Sequence, residues 1–261
     1  MTEREYQKRY TLLLEKLERT FARQMKPLIN TIFRAAANAV DNGHVRDADI
    51  VVNKYKLVLQ ELLIKRHLRT AQVFGTFVDV TASKKNLIIS RKKLSETFWN
   101  SIRLWAKTEA ARNISYIADT QKKMIATTVF NGLRNGKGSK QIARDLRKAG
   151  QIISPVSANM IARTETHNAA GFASQEMSRD LGISDEKKWL DAFDERVRID
   201  HRGVEGGDWI PENKAFNVGG ELMAYPGAAG ASAKNVINCR CVAIYRRAKN
   251  KSKSKNKGGE K

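Results

Sequence analysis

The chain has 261 residues, with 48 Lys and Arg against 27 Asp and Glu and a formal net charge of +21. With 41% hydrophobic and 29% charged residues it is not wholly disordered, and its length allows one large domain or two modest ones with a real core. Two cysteines, Cys239 and Cys241, are too few for a disulfide-built secreted domain and fit a reducing cytoplasm.

The charged start, Met1 to Glu5, predicts no secretory signal, and no apolar run approaches the ~18 residues of a membrane span. Residues 3–40 then show helical periodicity. Tyr6, Tyr10, Leu13, Leu14, Leu17, Phe21, Leu28, Ile32 and Phe33 recur at intervals of three and four. Pro27 predicts a kink or break, and Asp41-Asn42-Gly43 a stop. A second helix is expected from 47 to about 70, with Val51, Tyr55, Val58, Leu59, Leu62 and Leu63 inward. Residues 72–90 read either as a strand or as more helix. Helical spacing resumes over 90–131 through Leu94, Phe98, Ile102, Trp105, Ile114 and Ile117. Ser139 reads as the N-cap of a short basic helix, 140–148, closed by Gly150. A further helix is expected over 157–181, with Gly182 as its C′ residue. Beyond it, 187–193 reads as a strand, 203–233 as mostly loop, and 235–245 as a closing strand.

The expected fold class is α+β. A mainly α-helical basic region (1–150) precedes a small α+β domain (151–245) and a disordered basic tail (246–261). Charge follows the same division. Residues 1–150 hold 30 basic and 13 acidic groups, a net +17; 151–245 carry −3 and 246–261 carry +7. Such asymmetry predicts a polyanionic partner. Arg246, Arg247, Lys249, Lys251, Lys253, Lys255 and Lys257 form either a nucleic-acid arm or a solubilising tail. No base-reading motif and only 7% aromatic residues predict sequence-blind contact with duplex DNA rather than stacking on single strands.

Polar residues gather in the C-terminal part: Arg163, Thr164, Glu165 and His167; then Asp194, Glu195, Arg196, Arg198, Asp200 and His201; then Cys239, Arg240 and Cys241. Arg163 and His167 are four apart and share a helix face. On a strand the two cysteines point the same way, with Cα atoms about 6.5–7 Å apart, which is poor for a disulfide. One reading is zinc held by His167 or His201 with Cys239 and Cys241, and Asp194 or Asp200 as a fourth ligand. The other is a buried polar network in which Arg163 pairs with Glu165, Asp194 takes Arg196 or Arg240, and the cysteines are small core residues. Only the cysteines pair two ligands at one place, so the network is favoured and no metal or catalytic site is expected. Zinc on His201, Cys239 and Cys241 is the minor alternative. A general acid–base set of Glu165, His167, Asp194 and His201, as in a metal-dependent nuclease or a transferase, is the enzymatic alternative. The run 132–137 is one residue short of a phosphate loop, lacks its Ser or Thr, and follows no strand.

Four blocks in one order carry a resemblance: Ile161-Ala162-Arg163-Thr164-Glu165-Thr166-His167-Asn168; Asp194-Glu195-Arg196-Val197-Arg198-Ile199-Asp200-His201; residues 216–227; and Asn235-Val236-Ile237-Asn238-Cys239-Arg240-Cys241. Over about 140–245 the chain resembles the Mu F-like minor head proteins of tailed bacteriophages, or head-morphogenesis proteins. The resemblance implies a non-enzymatic minor capsid protein that assists procapsid assembly. It implies as partners the portal, the scaffolding or major capsid protein, and double-stranded DNA without sequence specificity, and no membrane. Its expected places are the host cytoplasm before assembly and then the head interior near the portal, with possible exit alongside the genome. Arg163, Glu165, His167, Asp194, Arg196, His201, Cys239 and Cys241 carry over as motif positions with a structural role.

Overall fold

The computed structural model describes residues 1–84, 93–228 and 230–248. Four long helices, α1 (Glu3–Asp41), α2 (Lys56–Lys84), α3 (Glu96–Arg134) and α4 (Ser139–Asp180), make up most of it. α1 opens on a capping box: Thr2 Oγ1 accepts from the Glu5 N–H, and Glu5 returns the bond to the Thr2 N–H. Pro27 sits inside α1 without ending it. The carbonyl left without its bond belongs to Arg23, on the exposed face, where water serves it. The apolar stripe read from the sequence lies inward: Tyr6, Tyr10, Leu14, Phe21, Ile32 and Phe33 are buried.

The second helix begins later than expected, after a 3-10 segment at Ile50–Tyr55. Leu59 and Leu63 face the core, and that phase turns Val58 outward, against its expected inward place. The undecided stretch 72–90 continues α2 as far as Lys84; residues 85–90 lie outside the described residues. Helix wins over strand there because Phe74 and Val78, four apart, both reach the core.

Where two helices are expected, over 140–148 and 157–181, one forms. α4 starts at Ser139, with Gly138 rather than Ser139 as N-cap, and runs 42 residues. Pro155 deletes only a bond to exposed Gln151. Gly150 is a contact point, not a stop: a Cβ there would sit 2.6 Å from Phe33 Cβ of α1. The 150/151 border therefore falls inside one helix. Gly150→Ala is expected to lower stability by about 1–2 kcal/mol, the clash exceeding the gain in helix propensity; urea unfolding checks it. α4 does end as expected. Gly182, at φ +62°, donates to Arg179 O, and Ile183 donates to Ser178 O, the paired bonds of a Schellman close.

One core joins the later half of α1 and the start of α2 to the far end of α3 and the first half of α4. A second joins the start of α1, the end of α2, the start of α3 and the end of α4. Helices adjacent in sequence therefore run antiparallel, and α1 lies antiparallel to α4.

Two small sheets follow. β1 (Glu186–Leu190) lies between β2 (Ile210–Pro211) and β5 (Val242–Arg246), antiparallel to both; β3 (Phe216–Val218) and β4 (Glu221–Met223) form a hairpin. Alternation gives the larger sheet two apolar faces. Leu190 and Val242 pack on the helices, while Trp189 and Ala243 join a third core with Phe216, Val218, Met223 and Tyr225. The closing strand is shorter than expected. Residues 233–236 form a helical turn, α5 (Ala233–Val236), and Asn238 turns the chain at φ +58° before β5.

The expected disordered tail does not begin at 246. Arg246 is the last residue of β5, paired with Glu186 at 2.6 Å and stacked over Trp209 at 4.0 Å. Arg247 donates to Gly182 O at 2.9 Å. Both guanidiniums are thus occupied within the domain, whereas the tail residues Lys249, Lys251, Lys253, Lys255 and Lys257 lie outside the described residues. No helix among the described residues is long and apolar enough to cross a membrane.

Candidate functional site

The C-terminal polar residues separate into three groups. The first surrounds Glu165, buried on α4. It accepts from His67 Nε2 at 2.9 Å and from Asn113 Nδ2 at 3.0 Å to each oxygen. Asn113 also donates to buried Glu109, which accepts from Asn168 at 2.9 Å and pairs with Arg112. Asn168 in turn accepts from the Tyr225 hydroxyl at 3.3 Å. The chain of bonds ties α2, α3, α4 and the loop after β4 together. It borders a cavity of about 460 Å³ between α3, α4 and the 227–237 segment. The carboxylate oxygens are engaged by fixed donors, which is the state of a structural clamp.

The expected Arg163–Glu165 pair does not form. Two residues apart on a helix, they point about 200° apart. Arg163 instead meets Glu18 of α1 at 3.4 Å and Asn238 at 3.3 Å. Its expected face-mate His167 donates from Nε2 to the Cys241 carbonyl at 2.7 Å, so the two do share a face, the one against 238–241.

The second group is Asp194 with its arginines. Arg240 grips both carboxylate oxygens and Arg196 adds a contact at 3.4 Å. The Arg240 guanidinium holds the Asp194 carboxyl at about 2, below its ordinary value. A depressed carboxyl contributes stability that is present above the ordinary carboxylate range and is lost as pH falls through about 2. Arg240→Leu is therefore expected to be less stable than the parent near pH 5, with the gap closing toward about pH 2. Thermal melts of both proteins across that range check it.

The third group brings His201, Cys239 and Cys241 together. All three are buried, and their ligand atoms lie within 4.8 Å of one another. His201 Nδ1 is 3.6 Å from each sulfur. The cysteines stand ahead of β5 rather than on a strand. Their common aim comes from the Asn238 turn and the Cys239 N–H bond to Val236 O at 3.1 Å. The closeness of the two thiols lowers the Cys239 thiol from its ordinary value and raises that of Cys241. Both cysteines are free.

The proposed acid–base set is thus dispersed. Glu165 belongs to the His67 clamp, Asp194 to Arg240, His201 to the cysteines, and His167 to a backbone carbonyl. The sequence reading missed His67, Glu109, Asn113, Asn168, Tyr225 and Asn235. One signal was available: His67 follows Leu63 by four and so continues the inward face of α2.

Residues 123–244 match the family model described as Phage Mu protein F like protein. That match opens within α3 and contains the second and third groups whole but only Glu165, Asn168 and Tyr225 of the first, whose partners His67, Glu109, Arg112 and Asn113 precede it. The chain is 27% identical to the minor head protein GP7 of Bacillus phage SPP1, an alignment spanning 88% of this chain and 81% of that protein. It is 30% identical over 129 residues to the NAD(+)–arginine ADP-ribosyltransferase EFV of Enterococcus faecalis, which covers 48% of this chain but 26% of that enzyme. No solved structure matches. The family match over the ordered C-terminal blocks and a relative aligned along most of both chains agree: over residues 123–244 the chain is similar to the phage Mu protein F-like family.

Proposed function

We propose that the protein is a minor head protein of a tailed phage, without catalytic activity, that assists head assembly at the portal and binds packaged DNA without reading its sequence. The observation that carries this reading is the similarity to the SPP1 minor head protein along 88% of the chain. The similarity to the ADP-ribosyltransferase spans only a quarter of that enzyme, and the two carboxylates of the acid–base set, Glu165 and Asp194, are each held by fixed donors. In this reading the protein passes from the host cytoplasm to the head interior and is able to leave with the genome.

The basic helices supply the DNA surface. Arg9, Lys16 and Arg23 recur every seven residues along the exposed face of α1, with Arg19 and Lys26 beside them. Arg66 and Arg69 of α2 flank this stripe: Arg66 donates to Gln24, and Arg69 shares a groove with Arg9. Partial burial and the neighbouring Arg69 lower Arg66 from its ordinary value, as expected where like charges are held together.

Peptide counting on gradient-purified DNA-filled heads and empty proheads tests the assignment. A few copies in both kinds of particle are expected. Absence from both overturns it and sends the ADP-ribosyltransferase similarity to a transferase assay.

A further inference from the structure

We propose that His201, Cys239 and Cys241 bind a single zinc ion as three of its donors. The inference does not rest on the head-protein reading.

Geometry is the first support. A tetrahedral zinc with Zn–S of about 2.3 Å and Zn–N of about 2.0–2.1 Å sets its nitrogen and sulfur ligands roughly 3.6 Å apart. His201 Nδ1 stands 3.6 Å from Cys239 Sγ and 3.6 Å from Cys241 Sγ.

The histidine tautomer is the second. His201 Nε2 donates to Asn235 Oδ1 at 3.2 Å, and Asn235 is oriented by its own donation from Nδ2 to Val218 O at 3.1 Å. The proton is therefore on Nε2, and the Nδ1 lone pair faces the sulfurs. Both sulfurs stand at the same 3.6 Å from this one lone pair, the arrangement in which a shared cation holds all three atoms. A ligating histidine whose other nitrogen donates to a fixed carbonyl is the usual outer-shell arrangement.

The third is the backing of the cysteine turn. His167 donates to the Cys241 carbonyl, Asn238 holds the left-handed turn, and Arg240, between the cysteines, is directed onto Asp194. Each ligand is thus positioned by a contact of its own. Two thiolates and an imidazole are a donor set that selects zinc among the common divalent cations. The ion would staple the 3-10 turn at Ile199–His201 to the entrance of β5, closing a long loop over a small third core.

The test uses the full chain without a histidine tag, produced in zinc-supplemented medium. Elemental analysis is expected to find one zinc per chain. After stripping with a chelator, the melting temperature is expected to fall, and zinc to restore it. Cobalt(II) titrated into the stripped protein is expected to give thiolate-to-cobalt charge-transfer and tetrahedral ligand-field bands that saturate at one equivalent. Cys239→Ser and Cys241→Ser are each expected to lose the charge-transfer intensity, while Arg196→Ala, at an exposed neighbour, keeps it. Metal-free protein with no cobalt bands overturns the proposal, and so do bands unchanged in Cys239→Ser. If the variants fail to fold, the titration of the stripped parent decides alone.

Discussion

Glu165→Ala is expected to lower the stability of the protein by about 3–5 kcal/mol, the cost of removing one member of a buried charged network. The substitution strips His67 of its Nε2 partner and Asn113 of two acceptor oxygens, and opens a void between α2, α3 and α4. His67 is fully buried and away from the cavity, so its lost partner is not replaced by water. For a chain of this size the melting temperature is expected to fall by roughly 10 °C. Glu96→Ala supplies the contrast. Glu96 pairs with Arg103 at 2.7 Å, yet both side chains are about half exposed or more, so its loss is expected to cost less than about 1 kcal/mol. Urea unfolding of the three proteins measures both effects. A Glu165→Ala protein as stable as its parent would show that the clamp is not structural and would reopen a catalytic role for this carboxylate.

Duplex DNA binding is expected to be steep in salt. If the basic surface neutralises 6–10 phosphates, affinity falls by about 10³–10⁵ between about 50 and 200 mM salt. The five basic residues from Arg9 to Lys26 span about 25 Å of α1, long enough to follow several phosphates. Replacing Arg9, Lys16 and Arg23 by Ala is expected to flatten the slope of log affinity against log salt by about 3, one per lost contact. All three are exposed, so each change should leave stability within about 0.5 kcal/mol. Removing residues 249–261 separates the contribution of the Lys-rich run from that of the helices. Unrelated duplexes are expected to bind equally. Fluorescence anisotropy across a salt series measures all three quantities. A salt-independent affinity, or a slope unchanged in the triple variant, would refute the α1 surface.

The helices were largely legible because their signals are local. The stripe from Tyr6 to Phe33 and the Gly182 close follow from spacing within a few turns, whereas α3, read from 90, begins at Glu96 after a Ser95 cap the reading did not single out. The errors came from local signals that a distant contact outweighed. Gly150 reads as a terminator until Phe33 of α1 is set against it, and Pro155 reads as a break until its missing bond is seen to fall on the wet face. In the same way Arg246 reads as tail composition until Glu186 and Trp209 lie beside it.

The sequence by itself determined the charge asymmetry, the helical class, the ordered blocks that carry the family resemblance, and the residue types of the motif. These are properties of composition, period and order, and survive without coordinates. Only the tertiary structure decided which of those residues meet. Glu165 turned from Arg163 to His67, 98 positions away, because a helix sends neighbours two apart to different sides. The cysteine pair, two ligands at one place in the sequence, gained its third from His201, 38 positions before Cys239. Partners so far apart in the chain are chosen by packing of the whole fold, and no periodicity in the sequence records that choice.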